Sequence, residues 1–226
     1  MKLRCFTLAE VLITLGIIGI VAAITMSTIM QKITEKRTVS QLTATYSILS
    51  RALRLAEEDN GTVDGWGCIK QDKACAELIA NNLKPHLKLL LDCGTNDSKG
   101  KCIYNGVYNY KSGSPLQNYA TADWAYKVVL LNGTSIWWRG PYLQGDSINS
   151  SKNSMLIYVD VNAQKKPNVI GIDMFGFEYY AGSGLVPLGS PLSTQFSYKT
   201  ACLPKNSNGW GCAYYIMNFK NMDYLH

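Results

Sequence analysis

The side chains that enzymes use for nucleophilic and acid–base chemistry are scarce in this sequence of 226 residues. A nucleophilic triad needs a histidine beside a serine or cysteine, yet histidine occurs only at His86 and His226. Neither a Gly-x-Ser-x-Gly turn nor a Gly-x-x-x-x-Gly-Lys-Ser/Thr phosphate loop is present in the sequence. The sequence therefore predicts a protein that is not an enzyme.

Three oxygen-bearing side chains occur in the run VDVNAQKKPNVIGIDMF, at Asp160, Asn162 and Asp173. Calcium takes about six to eight oxygen ligands, including backbone carbonyls, so these residues are weak candidates for a Ca²⁺ site. Asp and Asn are also typical of turns, where their side chains accept hydrogen bonds from nearby backbone amides. The sequence leaves both interpretations open, and it indicates no other cofactor.

A single acidic residue, Glu10, lies in an apolar stretch of 25 residues from Phe6 to Met30. A helix of this length would extend about 37 Å, enough to cross a bilayer core of about 30 Å. A carboxylate in such a span costs about 2.5–3.5 kcal/mol at mid-bilayer and less toward the interface, so it is normally retained with a partner. The sequence therefore predicts a membrane segment in which Glu10 pairs with a cation.

The N-terminal run MKLRC, followed by FTLAEVLITLGIIGIVAA, resembles the signal of type IV prepilins and type II secretion pseudopilins. These signals have a short basic leader, a Phe, a Thr or Ser, a Glu four positions after the Phe, and about twenty apolar residues. In that family a membrane peptidase cuts before the Phe and methylates the new amine. The resemblance implies a leader of residues 1–5, cleavage between Cys5 and Phe6, and N-methylation of Phe6. The family usually has Gly, sometimes Ala, where this chain has Cys5.

The resemblance also implies a cation for Glu10, namely the Phe6 ammonium of a neighbouring subunit in a helical filament. Implied partners are a prepilin peptidase/methyltransferase, other pilin-like subunits, an inner-membrane assembly platform and membrane lipid. The implied location is the bacterial inner membrane, with a single pass and an extracytoplasmic head, and then a pilus or pseudopilus. A secretory signal cleaved after Ala23 and a plain single-span anchor are the alternative interpretations of the same segment.

The cysteines are compatible with a disulfide framework outside the cytoplasm. Loss of Cys5 with the leader would leave an even number, which suits an oxidising compartment. Pairing between sequence neighbours is the simplest connectivity, whereas the similar runs GWGC at 65–68 and 209–212 suggest a Cys68–Cys212 link as an alternative. Zinc is not favoured because no Cys-x-x-Cys motif occurs. The predicted local bridges are Cys68–Cys75, Cys93–Cys102 and Cys202–Cys212.

A helical pattern continues beyond the apolar stretch, where residues 31–60 become amphipathic. Apolar residues recur there at steps of three and four, which predicts one buried helix face. We expect a single helix from Phe6 to Asp59 that ends at Asn60-Gly61, with a transmembrane and assembly part at 6–30. The residues of the buried stripe are Val39, Leu42, Tyr46, Leu49, Leu53 and Ala56.

Residues 61–226 are predicted to form an extracytoplasmic α+β head. Asp72 is expected to cap a short helix that ends near Leu83, and the rest of 62–112 is predicted to be irregular. Asn132-Gly133 predicts a hairpin, after which an antiparallel sheet continues and Trp137 and Trp138 point to opposite faces. The predicted strands are Tyr126–Leu131, Thr134–Trp138, Met155–Val161 and Ala213–Met217.

These elements predict a pilin-like α+β fold in which one long N-terminal helix packs on an antiparallel sheet stapled by disulfides. The predicted function is that of a structural subunit, a pilin or pseudopilin. The alternative is a membrane-anchored or secreted module whose aromatic-rich head binds a carbohydrate or a protein. The net charge of +6 comes without a basic run, so no specific nucleic-acid partner is predicted.

Overall fold

Helix α1 runs without a break from Leu8 to Asn60. The computed structural model describes residues 7–68, 70–141, 153–180, 182–193 and 196–226, without the side chains of Ser27, Asn153 and Ser154. The predicted stop is present, because Gly61 follows the helix with a φ of 75° and donates its amide to the Glu57 carbonyl at 3.0 Å. A glycine is favoured at this left-handed position because it carries no Cβ.

The chain divides into two compact units, residues 1–37 and residues 38–226. In the described part of the first unit, every large apolar side chain from Leu8 to Ile33 is exposed. The segment reaches a mean hydropathy of 2.3 over eighteen residues, so by length and composition α1 could cross a membrane. The second unit contains all the strands and the disulfides described below.

The second unit is built on a six-stranded sheet in the order β1-β4-β5-β6-β7-β8, with every neighbouring pair antiparallel. A separate two-stranded sheet pairs β2 with β3. The predicted hairpin at Asn132-Gly133 is confirmed, and it joins β4 to β5. The strands are β1 (Leu89–Gly94), β2 (Tyr108–Asn109), β3 (Pro115–Gln117), β4 (Tyr126–Leu130), β5 (Ser135–Arg139), β6 (Asn153–Asp160), β7 (Met174–Tyr180) and β8 (Gly184–Pro187).

Two hydrophobic cores lie on opposite faces of the six-stranded sheet. The first contains Leu42, Leu49 and Trp138, so the predicted helix stripe packs against this face. The second contains Trp137 and Tyr158, which face away from α1. The opposite orientation of the two adjacent tryptophans confirms the alternation expected of a strand. Both indoles are fully buried.

Among its described residues, the second unit also contains three shorter α-helices: α2 (Lys73–Leu83), α3 (Tyr198–Ala201) and α4 (Cys212–Phe219). The predicted cap of α2 is present, because the Asp72 side chain accepts the Cys75 amide at 2.8 Å. The predicted strand Ala213–Met217 is wrong, since these residues belong to α4. Cys212, Ala213 and Ile216 are buried on one helical face there, so packing overrides the strand preference of Tyr and Ile.

The prediction that residues 62–112 are irregular outside one helix is also wrong, because β1 and β2 lie in this range. Strand β1 is an edge strand in which Leu90 and Leu91 are both exposed. Its side chains therefore lack the alternating pattern by which a half-buried strand is predicted. The register shifts at both ends of its pairing with β4 disrupt the ladder further.

The disulfides join sequence neighbours, as the simplest connectivity predicts. They link Cys68 to Cys75, Cys93 to Cys102, and Cys202 to Cys212. The alternative Cys68–Cys212 link is therefore wrong. Each bridge closes a short loop, with sequence separations of 7, 9 and 10 residues, so each one restricts a local segment of the second unit.

Candidate functional site

Glu10 forms a reciprocal cap with Thr7 at the start of α1. The Glu10 Oε2 atom accepts the Thr7 backbone amide at 2.8 Å and the Thr7 hydroxyl at 2.9 Å. In return, the Glu10 amide donates to the Thr7 Oγ1 atom at 3.3 Å. This is a capping box, which satisfies backbone donors that the first helical turn leaves without partners. In the single chain, Glu10 therefore has a local role that needs no cation.

The sequence contains the signal for this cap, since Thr7-x-x-Glu10 matches the pattern of a capping box. The cap was not among the predicted roles of Glu10, which were confined to contact between subunits. Cys5 and Phe6, the residues of the predicted cleavage and methylation, lie outside the described residues. Pairing of Glu10 with a Phe6 ammonium therefore stays a prediction.

The three residues predicted to converge on calcium do lie together, around the connection between β6 and β7. Asp173 accepts the amides of Asn168 at 2.8 Å and Val169 at 2.7 Å, and the Asn162 side-chain amide at 3.1 Å. Asp160 accepts the Asn162 backbone amide at 3.2 Å. These contacts are those of a turn held by Asp and Asn side chains, the alternative that the sequence left open.

Both carboxyl groups of this cluster are buried, with Asp160 at 0% and Asp173 at 2% exposure. Burial raises the pKa of Asp160 well above its ordinary value, and the nearby charge of Asp173 raises it further. Burial also raises the pKa of Asp173, against the lowering effect of the amides that it accepts. The Tyr108 hydroxyl donates to Asp160 at 2.8 Å, so the cluster also ties β2 to the end of β6.

Two amide oxygens give this cluster ligand groups for a cation as well as the contacts of a turn. The side-chain oxygens of Asn162 and Asn168 are buried and have no hydrogen-bond partner among the described residues. Asp160, Asp173 and these two amide groups are the hard oxygen ligands that Ca²⁺ prefers. The residues therefore fit calcium by chemistry, and calcium binding stays a prediction.

We expect the stability contribution of Asp160 to fall as the pH rises. A raised pKa means that the folded state holds a proton that the unfolded state has already released, so the unfolding free energy decreases above about pH 4. Asp160→Asn removes this ionisation, and the variant should gain stability relative to the parent as the pH is raised from about 4 to about 7. Urea unfolding at several pH values, with a calcium chelator present, measures this difference.

A constant difference between Asp160→Asn and the parent at all pH values would contradict the prediction. Adding Ca²⁺ separates the two interpretations of the cluster. A bound ion would stabilise the folded protein by mass action and favour ionised Asp160, whereas a simple turn would not respond.

Sequence reasoning missed a buried cation, Lys127, on β4. Its side chain is 0% exposed, and its Nζ atom donates to the carbonyl of Thr95 at 2.7 Å and to the carbonyl of Ala122. Burial lowers the pKa of Lys127 to about 8, although the charges of Asp97 and Asp123 oppose this shift. The side chain fixes two loops to the sheet, and no local sequence signal predicts it.

Lys127→Met should destabilise the second unit by about 1–3 kcal/mol near neutral pH, because the two carbonyls lose a charged donor. The lowered pKa also predicts a pH effect in the parent protein. From about pH 8 upward the folded state releases a proton that the unfolded state retains, so this group's contribution rises with pH. Denaturant unfolding of both proteins at about pH 7 and pH 9 tests the two effects. If the unfolding free energy changed equally with pH in the parent and in Lys127→Met, the lowered pKa of Lys127 would be contradicted.

Comparison with protein-family models, curated proteins and solved structures finds no match to this chain.

Proposed function

We propose that this chain is a structural subunit of a type IV pilus or of a type II secretion pseudopilus. Residues 1–5 would be removed as a leader, and Phe6 would become the methylated N-terminus. The main support is α1, which begins with an exposed apolar span carrying one acid, Glu10. Its residues 38–60 form one side of a hydrophobic core against an antiparallel sheet. Such a helix suits both membrane insertion and association with identical helices.

The disulfides of the second unit also support the proposal. Three local disulfides suit folding in an oxidising compartment, so we propose an extracytoplasmic head and a single pass through the bacterial inner membrane. The proposed partners are a prepilin peptidase/methyltransferase, other pilin-like subunits, an inner-membrane assembly platform and membrane lipid. We propose that the chain is the substrate of these processing enzymes and has no catalytic role of its own.

Mass spectrometry of the mature N-terminus tests this proposal. The chain should be expressed in a bacterium that contains a prepilin peptidase, and in a matched strain that lacks it. We expect N-methyl-Phe6 in the first strain and an intact leader in the second. A chain that begins at Ile24 would indicate an ordinary secretory signal, and a leader retained in both strains would indicate a plain anchor; either outcome contradicts the proposal.

A further inference from the structure

A cavity of about 390 Å³ lies where α1, the 3₁₀ turn Lys84–His86 and the β4–β5 hairpin meet, within the second unit. It is here called the α1 cavity. Small-molecule sites in proteins typically have volumes of about 300–1,000 Å³ and mostly apolar walls. The α1 cavity is therefore large enough for a small ligand. Its apolar walls are formed by Ile48, Leu55, Leu130 and Leu131.

The apolar walls of the α1 cavity are aliphatic and partly open to solvent. Ile48 and Leu55 lie about two helical turns apart on one face of α1, beside the buried stripe. Leu131 is 60% exposed, whereas its neighbour Leu130 is buried. No aromatic ring is among the described residues that line the cavity. The walls therefore suit an alkyl chain, which would bury apolar surface that water now covers.

Basic side chains also line the α1 cavity, and no carboxylate is among its described lining residues. They belong to Arg51, His86 and Lys88. Within the described part of the chain, the side chains of Arg51 and Lys88 form no ion pair and no hydrogen bond. His86 differs, because its Nε2 atom lies 3.4 Å from the Oδ2 atom of Asp59. Arg51 and Lys88 are therefore available to an anionic group of a ligand.

Hydrogen bonds hold the elements around the α1 cavity together. The Leu131 amide donates to the Lys88 carbonyl at 3.0 Å, which joins the hairpin to the segment before β1. The side-chain amide of Asn132, another lining residue, donates to the Thr45 hydroxyl at 3.3 Å and so joins the hairpin to α1. A ligand would therefore meet preorganised walls, which reduces the entropy lost on binding.

We propose that the α1 cavity binds an aliphatic carboxylate with a chain of about eight carbons. The alkyl chain packs against the isoleucine and leucine side chains, and the carboxylate accepts hydrogen bonds from Arg51 and Lys88. A guanidinium group matches a carboxylate because both are planar and can form two parallel hydrogen bonds. This binding is independent of the N-terminal processing proposed above, so either proposal can fail alone.

Calorimetry of the full chain in uncharged detergent micelles tests this proposal, with octanoate as the probe and protein-free micelles as the blank. Acetate lacks the alkyl chain, octanol lacks the charge, and an acidic peptide of alternating leucine and glutamate represents a protein partner. We expect octanoate to bind more tightly than all three. Raising the salt concentration should weaken octanoate binding, because the cations at the cavity are exposed and are screened by salt.

Arg51→Gln should weaken octanoate binding by about tenfold, because the carboxylate loses a charged donor. Arg54→Gln is the matched control and should leave binding unaltered. It removes the same charge from the same helix, but Arg54 pairs with Glu58 at 3.0 Å and is not among the described lining residues. Leu131→Asn should weaken binding by about fivefold, because the alkyl chain loses an apolar contact.

Thermal unfolding of each variant shows whether the fold is retained. The proposal is overturned if octanoate does not bind, if folded Arg51→Gln binds it as well as the parent, or if octanol or the peptide binds more tightly. Equal weakening by Arg51→Gln and Arg54→Gln would also overturn it, because the effect would then be one of overall charge and not of the cavity.

Discussion

Glu10→Gln is expected to exclude this chain from filaments while the start of α1 stays intact. Glutamine retains a side-chain oxygen that can accept the Thr7 amide and hydroxyl, so the cap survives. It loses the negative charge that the proposed pairing with a neighbouring Phe6 ammonium requires. Two opposite charges about 4 Å apart attract by about 4 kcal/mol at an effective dielectric of about 20, so incorporation should fall by more than roughly a hundredfold.

The amount of the chain in sheared filaments, relative to the amount in membranes, measures this effect. Thr7→Ala is the matched control, because it removes the capping hydroxyl and keeps the charge of Glu10. We expect this control to weaken the helix start by about 1 kcal/mol and to leave incorporation close to that of the parent. Incorporation of Glu10→Gln at the level of the parent would contradict the charge-pair account, and a loss confined to Thr7→Ala would assign the role of Glu10 to the cap.

The largest expected loss of stability follows from Trp138→Ala, at about 3–5 kcal/mol. Trp138 is fully buried in the core between α1 and the sheet. Its ring stacks on Tyr126 with centroids 5.3 Å apart, and its Nε1 atom donates to the Ala76 carbonyl at 3.1 Å. The side chain therefore joins β5 to α2 as well as filling the core. Urea unfolding followed by circular dichroism measures the loss.

The neighbouring Trp137 allows a matched comparison on the same strand. Trp137 is equally buried, but its Nε1 atom has no hydrogen-bond partner among the described residues. Trp138→Phe loses a hydrogen bond and volume, whereas Trp137→Phe loses volume and removes an unsatisfied donor. Trp138→Phe should therefore be more destabilising by about 1–2 kcal/mol. Equal losses would show that the indole hydrogen bond contributes nothing.

The parts of the fold that could be predicted depend on residues close together in the chain. The stripe from Val39 to Ala56 repeats at the helical period, and it is the buried face of α1 in the second unit. Asn132-Gly133 predicts a hairpin because these residues accept the backbone angles of a tight turn. The cap at Asp72 has the same local origin.

The wrong predictions for α4 and β1 arise from contacts between distant parts of the chain. The residues of α4 include side chains that favour strands, but they form a helix because one helical face packs on β7 and β8. Strand β1 is defined by pairing with β4, about forty residues later, and not by its own pattern. The capping box of Thr7 and Glu10 is a different case, since its signal, Thr7-x-x-Glu10, is local and present in the sequence.

The contacts of the candidate sites also differ in whether they join near or distant parts of the chain. The convergence of Asp160, Asn162 and Asp173 could be expected because strands β6 and β7 are consecutive in the chain. The contact of Asp160 with Tyr108 joins residues 52 positions apart, and burial of Lys127 depends on carbonyls from two loops. Neither contact could be predicted from spacing along the chain.

The sequence by itself determined the long helix, the apolar span with Glu10 and the hairpin, and it favoured the local pairing of the cysteines while leaving a Cys68–Cys212 link open. Helical period, turn chemistry and loop closure all act between near neighbours, so they can be read from residue order. The tertiary structure alone decided which polar groups are buried and which aromatic rings stay exposed. Burial depends on the segments that the sheet brings together, and for this reason the burial of the Asp160 cluster and of Lys127 became evident only in the folded chain.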